Sequence, residues 1–193
     1  MDYDIQEHRH RFAVWAAARA VARGFTTTEK VKRAIEASDL RDLVFGSPSK
    51  WPTEGVDELH QKWVDQILTK LEEDGVFSEG PRKKNRLRKE RSYGRAAKIV
   101  AVYLKTCLLM CPHVDHKFHS LIHPPIDRTL LQELSNRPEF SKYKFRWRPV
   151  ATRWTQLTKK EYLELIASFR EAGLDRPFWS IERYWHPSGG SAT

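Results

Sequence analysis

The chain has 193 residues, of which 40% are hydrophobic, so it is long enough and apolar enough to form one domain with a buried core. Its 34 Lys and Arg residues outnumber its 25 Asp and Glu residues, and the net charge of +9 favours a polyanionic partner, most commonly nucleic acid. No apolar run is long enough to span a membrane and the first residues lack a signal-peptide pattern, so we expect a cytoplasmic monomer with no membrane partner.

Helical patterns fill the amino-terminal part of the chain. Apolar residues at helical spacing predict a first helix over residues 5–23. Thr26 and Glu29 have the spacing of a capping box and predict a second helix that extends to residue 37. Apolar residues recurring every three to four positions over residues 56–74 indicate an amphipathic helix.

The middle of the chain contrasts a basic run with an apolar one. Residues 81–95, PRKKNRLRKERSYGR, contain a single acidic residue, and we interpret them as a loop. Residues 96–110 are apolar on nearly every side, which is typical of a helix buried in the centre of a helical domain.

The last third of the chain is also predicted to be helical. We expect a helix over residues 126–134, a second one beginning at a capping box of Thr158 and Glu161, and a short final helix. No strand pattern is prominent, so the predicted fold class is all-α, a compact domain over residues 1–185 around a central buried helix, followed by a flexible tail at 186–193.

Three charged residues stand out as candidates for chemistry. Lys98 and Lys105 are seven residues apart in the apolar helix, which places them on one face about two turns apart. Burial disfavours an ammonium group, and a neutral lysine amine is a nucleophile, although either lysine could instead extend to solvent at a helix end. Asp127 follows two prolines at the start of the next helix, where it is either a stabilising anion or an ordinary N-cap.

Together, GRAAKIVAVYLK and HPPIDRTLL resemble the active-site core of the helix-hairpin-helix DNA glycosylases, most closely the archaeal-type 8-oxoguanine glycosylases. The resemblance covers roughly residues 93–134. It implies that Lys98 attacks the sugar C1′, that Asp127 assists, and that Lys105 is a second lysine of the base pocket.

The glycine-rich hairpin that usually precedes the lysine in this family is reduced here to SYGR. Basic side chains bind phosphates without any hairpin, so we expect the basic run to contact the DNA backbone, although exposed charge runs are often only solvated. The predicted DNA-binding residues are Arg82, Lys83, Lys84, Arg86, Arg88, Gly94 and Arg95.

An extruded base needs flat apolar walls, because it is held by stacking and by hydrogen bonds to its edge. Trp15, Trp179 and Trp185 are candidates for these walls, and core packing is the alternative for each of them. His10 and Gln6 on the first helix are polar candidates for recognising the base.

Ligand types for zinc are concentrated between residues 107 and 123. They are Cys107, Cys111, His113, Asp115, His116, His119 and His123. No Cys-x-x-Cys pair is present, and Cys107 and Cys111 at i and i+4 are explained as apolar residues of the central helix. We therefore predict no metal and no other cofactor.

The sequence leads to the hypothesis of a DNA glycosylase with lyase activity, which excises an oxidised purine such as 8-oxoguanine from double-stranded DNA through a Schiff base on Lys98. The alternatives are a non-catalytic nucleic-acid-binding module and, with less support, a zinc-binding protein.

Overall fold

A computed structural model describes residues 3–21, 24–78, 81–110 and 116–186. Within these ranges all regular structure is helical, which confirms the all-α class. The α-helices are α1 (Ile5–Ala20), α2 (Thr28–Glu36), α3 (Leu40–Phe45), α4 (Val56–Glu73), α5 (Arg82–Glu90), α6 (Tyr93–Leu104), α7 (Lys117–Leu121), α8 (Arg128–Asn136), α9 (Lys144–Arg153) and α10 (Lys159–Glu171).

Shorter helical segments connect these elements. Pro48–Lys50, Pro138–Tyr143, Trp154–Gln156 and Phe178–Tyr184 form 3-10 helices, and Lys105–Leu109 continues α6 as a π turn. Among the described residues, no helix has the length and apolar character needed to cross a membrane. Residues 187–193, most of the predicted tail, lie outside the described ranges.

The helix starts depend on short-range capping contacts. The capping box at Thr158 and Glu161 is present, with both reciprocal hydrogen bonds formed. The predicted box at Thr26 is wrong by one residue, because Thr27 is the N-cap of α2 and accepts a hydrogen bond from the Lys30 amide at 3.3 Å.

The basic run is a helix and not the predicted loop. Pro81 immediately precedes α5, which extends over Arg82–Glu90. Arginine, lysine and leucine are strong helix formers, and Arg86 forms an ion pair at i, i+4 with Glu90 at 2.8 Å. The charge content suggested a solvated loop, but the backbone preferences of these same residues favour a solvated helix.

Helix α6 is the centre of the domain. It contacts α1, α4, α10 and the Trp154–Gln156 turn, and nearly all of its side chains are buried. The prediction of a central buried helix is therefore confirmed. The all-round apolar surface of α6 requires partners on every side, and these neighbours supply them.

Gly94 is buried near the start of α6 and is not presented to a DNA backbone as predicted. An added Cβ would lie 2.6 Å from the Trp154 carbonyl oxygen and 3.0 Å from the Leu157 Cβ. The Gly94 amide also donates a hydrogen bond to the Leu157 carbonyl at 3.2 Å. The missing side chain therefore allows close packing between α6 and residues 154–157.

We expect Gly94→Ala to lower the free energy of unfolding by about 1–3 kcal/mol, because the added methyl group overpacks this contact. Urea unfolding followed by circular dichroism measures the change. A variant of unchanged stability but weaker DNA binding would contradict this packing role.

A stacked cluster of buried aromatic and histidine side chains joins α4, α10 and the segment before α8. His60 lies 4.2 Å from His123 and 5.6 Å from Tyr162 between ring centroids. His123 contacts the Tyr162 hydroxyl at 3.1 Å and Asp57 at 2.9 Å, while Arg170 donates two hydrogen bonds to Asp57. Burial lowers the pKa of both histidines, so the cluster is packed in the neutral form.

Protonation should therefore oppose folding at this cluster. Both imidazoles have a pKa near 6.5 when unfolded and a lower pKa when folded, so the unfolded chain binds more protons. The free energy of unfolding should fall as the pH decreases below 6.5, by up to about 1.4 kcal/mol per pH unit for each histidine.

Urea unfolding between pH 7.5 and 5 tests this dependence. His60→Leu should make it shallower, and the same change at the exposed His8 should leave it as it is in the wild type. Equal pH dependence in wild type and His60→Leu would show that His60 does not titrate in this way.

Candidate active site

Lys98 and Asp127 meet in the interior of the molecule, although they are far apart in the sequence. Lys98 lies in α6 and is only 8% exposed, because the helix is buried on nearly every side. Asp127 is the N-cap of α8. The Lys98 Nζ lies 2.9 Å from the Asp127 Oδ2, a charge-assisted hydrogen bond.

Three donors fix the Asp127 carboxylate. Its Oδ1 accepts a hydrogen bond from the Leu130 amide at 2.9 Å, which is the expected N-cap contact. Its Oδ2 accepts hydrogen bonds from Lys98 and from the Trp185 Nε1 at 3.0 Å. The carboxylate is thus both an ordinary helix cap and the partner of a buried lysine, so the two sequence interpretations are compatible.

The Lys98 ammonium also lies over an aromatic ring. Its Nζ is 4.6 Å from the centroid of Trp154, within the range of a cation–π contact. Trp154 belongs to the turn that packs against the start of α6 near Gly94. Close packing at Gly94 therefore helps to place this ring under the lysine.

The pair opens into a cavity of about 380 Å³ between α1, α6 and the carboxyl-terminal segment. Trp15 from α1 and Trp185 provide large aromatic walls. The remaining lining residues are Ala16, Arg19, Ala20, Val102, Lys105, Thr106, Met110, Pro125 and Glu182. A mostly apolar cavity with a few converging charged groups is the usual form of a small-molecule or base-binding pocket.

A second ion pair forms part of the cavity wall. Lys105, the first residue of the π turn, pairs with Glu182 from the Phe178–Tyr184 helix. Burial raises the pKa of Glu182 above its ordinary value, and the ion pair with Lys105 partly opposes this shift. Sequence reasoning missed Glu182, because a single glutamate in a short helix has no pattern that distinguishes it.

We expect Lys105→Gln to destabilise the fold by about 1–2 kcal/mol, because it leaves the Glu182 carboxylate buried without its cation. The double variant Lys105→Gln/Glu182→Gln should regain part of this loss, since it removes the unpaired charge. Denaturant unfolding of the four proteins in a double-mutant cycle measures the coupling. Additive effects of the two changes would contradict an energetically significant pair.

The cavity includes some of the predicted pocket residues and excludes others. Trp15, Trp185 and Lys105 line it. Trp179 is 39% exposed and does not line it. Trp179 lies near the start of the Phe178–Tyr184 helix, and Trp185 follows its end. The sequence does not show which of these two tryptophans faces the cavity.

His10 and Gln6 do not reach the cavity either. His10 is fully buried, and its ring contacts the Tyr103 hydroxyl at 2.9 Å and Glu36 at 3.3 Å. Gln6 lines a smaller cavity beside Trp51. Both residues lie outside this cavity, because they face away from the side of α1 that carries Trp15.

No group of three or more potential metal ligands occurs within the described ranges. His123 contacts Tyr162 and Asp57, His116 caps α7 by accepting from the Phe118 amide, and Cys107 is buried in the core. His119 lies beside the Trp51 ring. The other predicted candidates, Cys111, His113 and Asp115, lie outside the described residues.

The basic residues of α5 and α6 fall into distinct environments. Lys84, Arg88 and Arg95 line a second cavity of about 380 Å³. Arg82 and Lys83 are exposed outside it, and Arg86 pairs with Glu90. The predicted DNA-binding residues thus do not form one uniform surface.

Comparison with family models, with curated protein sequences and with solved structures finds no match to this chain. Its candidate function therefore depends on the geometry of the residues themselves.

Proposed function

We propose that the Lys98–Asp127 cavity is the active site of a DNA glycosylase with lyase activity. The observation that carries this proposal is a buried lysine amine 2.9 Å from a fixed carboxylate, at the wall of an aromatic cavity. Such a lysine needs a neighbouring group that accepts its proton before it can act as a nucleophile. Asp127 is placed to accept that proton.

The proposed reaction replaces one bond at the sugar by another. Asp127 takes a proton from the Lys98 ammonium, and the neutral amine attacks C1′ while the bond from C1′ to the base breaks. The base leaves with the electron pair and takes up the proton that Asp127 had accepted. The Asp127 carboxylate, ionised again, stabilises the positive charge that develops on the sugar. Opening of the sugar ring, with a proton transferred to its oxygen, gives a Schiff base between C1′ and Lys98. The Asp127 carboxylate then removes a proton from C2′, and the C3′–O bond breaks with its electron pair on the departing 3′ phosphate, which cuts the strand. Hydrolysis of the Schiff base releases the lysine.

The walls of the cavity suit a purine. Trp15 and Trp185 offer aromatic surfaces for an extruded base. The Lys105 ammonium can donate to a carbonyl oxygen, and the Glu182 carboxylate can accept from ring and amino N–H groups. On the major-groove edge, 8-oxoguanine presents the O6 acceptor beside an N7–H donor, whereas guanine has an acceptor at N7, so this pair of groups favours 8-oxoguanine as the damaged base.

The net charge of +9 supports a nucleic-acid partner. We propose double-stranded DNA as the substrate, with the damaged nucleotide extruded into the cavity. The basic helix α5 directly precedes α6, and residues of both helices line one cavity, which supports contact with the same DNA segment.

Lys98→Gln should abolish both base release and borohydride trapping on DNA that contains 8-oxoguanine, since the Schiff base requires a primary amine. Binding of the same DNA should stay nearly intact. Lys160→Gln removes an exposed lysine of α10 and serves as the matched control, with trapping expected at the wild-type level. Absence of trapping by the wild-type protein on any lesion would contradict the proposal.

Two further variants separate the roles within the cavity. Asp127→Asn keeps an oxygen that can cap α8 but removes the charge, so kcat should fall by about 100-fold or more while the fold is retained. Lys105→Gln should raise KM more than it lowers kcat, because this lysine is assigned to the base and not to the sugar. Trapping that persists in Lys98→Gln and disappears in Lys105→Gln would assign the nucleophile to Lys105.

A non-catalytic nucleic-acid-binding module is the second candidate. The observation that favours it is that both lysines of the cavity are already paired with carboxylates, as in purely structural ion pairs. DNA binding without trapping would support this alternative.

A further inference from the structure

A second cavity lies between α5, α6 and the Trp154–Gln156 turn. It has a volume of about 380 Å³, and Lys84, Arg88, Arg91 and Arg95 contribute to its lining. Among the described residues, none that lines the cavity is Asp or Glu. The described lining is therefore electropositive, which is the character of a site for an anion.

Arg95 is the least solvated of these cations. Its guanidinium lies 4.6 Å from the Phe25 ring centroid, and its Nε is buried without a hydrogen-bond acceptor. Burial lowers its pKa, and no carboxylate of the described chain lies within ion-pair distance to oppose that shift. A partly desolvated arginine without a counter-ion is costly, and a bound anion would remove the cost.

Two neighbouring cations of α5 differ from Arg95, because each of them has a carboxylate partner. Lys89 pairs with Glu72 at 2.6 Å and Arg86 pairs with Glu90 at 2.8 Å, both outside the cavity. Among the described residues, Lys84 and Arg91 of the cavity have no such carboxylate partner. Two cations directed elsewhere on this helix, Arg86 and Lys89, are thus neutralised, whereas Lys84 and Arg91 keep their charge available at the cavity.

The position of the cavity relates it to Lys98. Arg95 and Lys98 are three residues apart on α6, which is less than one helical turn. Trp154, whose ring lies under the Lys98 ammonium, is followed directly by Thr155 and Gln156 in the lining of the second cavity. The two cavities therefore flank the same short turn.

We propose that the α5–α6 cavity binds a phosphate group of a nucleic-acid backbone, with Arg95 as its principal ligand and Lys84 and Arg91 completing the charge. Arginine suits this task, because its planar fork can donate two parallel hydrogen bonds to a phosphate. Phosphate binding follows from the cavity alone. That the phosphate belongs to the strand whose base enters the Lys98 cavity rests on the proposed function.

Arg95→Met tests the site, since it removes the charge and keeps an apolar chain against Phe25. Affinity for undamaged duplex DNA, measured by fluorescence anisotropy over a range of KCl concentrations, should fall by roughly 5- to 10-fold at low salt. The slope of log affinity against log salt should become shallower by about 0.9. Arg146→Met is the matched control, because it removes one exposed arginine of α9 and should leave the slope unchanged.

Two more variants keep the test informative if Arg95→Met folds poorly. Arg91→Met changes an exposed residue at the cavity and should also make the slope shallower. Arg95→Lys keeps the charge but not the planar fork, so the slope should be retained while the affinity falls. Unchanged slopes in both Arg95→Met and Arg91→Met would overturn the proposal.

A small-anion measurement distinguishes a backbone phosphate from a free one. Potassium phosphate should raise the Tm of the wild type relative to KCl at equal ionic strength, and this gain should be lost in Arg95→Met. A phosphate-dependent Tm combined with an unchanged DNA slope would mean a free anion as the ligand and would overturn the backbone assignment. Borohydride trapping is independent of these measurements, so the site and the glycosylase proposal can fail separately.

Discussion

The contact between Lys98 and Asp127 is the constraint around which the domain is arranged. A buried ion pair loses its hydration, and it is retained only where additional hydrogen bonds and close packing compensate. Here the Leu130 amide and the Trp185 indole also donate to the carboxylate, and Trp154 lies under the ammonium. Asp127 begins α8, Lys98 lies in the middle of α6, and Trp185 belongs to the carboxyl-terminal segment. The pair therefore fixes these three parts of the chain relative to one another.

The cavity depends on elements from both ends of the chain. The first helix contributes Trp15, and the last helical segment contributes Glu182 and ends beside Trp185. A site assembled in this way forms only when the whole domain is folded. His123 of the stacked cluster directly precedes the proline segment that leads to Asp127. Packing of His123 against His60 and Tyr162 therefore also helps to position the carboxylate.

The cations of this molecule differ in whether a carboxylate lies beside them. Several surface cations, such as Arg86 and Arg146, are paired with a carboxylate, and each such exposed pair contributes little to stability. Lys84, Arg91 and Arg95 differ because no carboxylate lines their cavity in the part of the chain that the structure describes. Two cavities lie next to each other on α6, one aromatic with two ion pairs and one lined by cations, and this adjacency is the basis for the proposal of a base and a phosphate from the same nucleic acid.

The sequence determined the features that depend on neighbouring residues. Apolar periodicity and composition identified the all-α class and the central helix, and a four-residue pattern located the capping box at Thr158. Lys98 and Asp127 were paired by the resemblance to the glycosylase core, and the structure places their side chains in contact, which the spacing within either helix does not specify. Charge content alone misled the interpretation of α5, since the helix preference of arginine, lysine and leucine acts regardless of solvation.

Only the tertiary structure decided which side chains face each cavity. His10 and Trp15 lie on the same helix, yet one hydrogen-bonds within the core and the other lines the cavity. Glu182 acquires its role from Lys105, a residue far away in the chain, and no local pattern records such a contact. Gly94 looked like the remnant of a DNA-binding hairpin, but the backbone at Trp154 explains it as a packing contact. Periodicity specifies one face of one helix, whereas a cavity is defined by several helices at once.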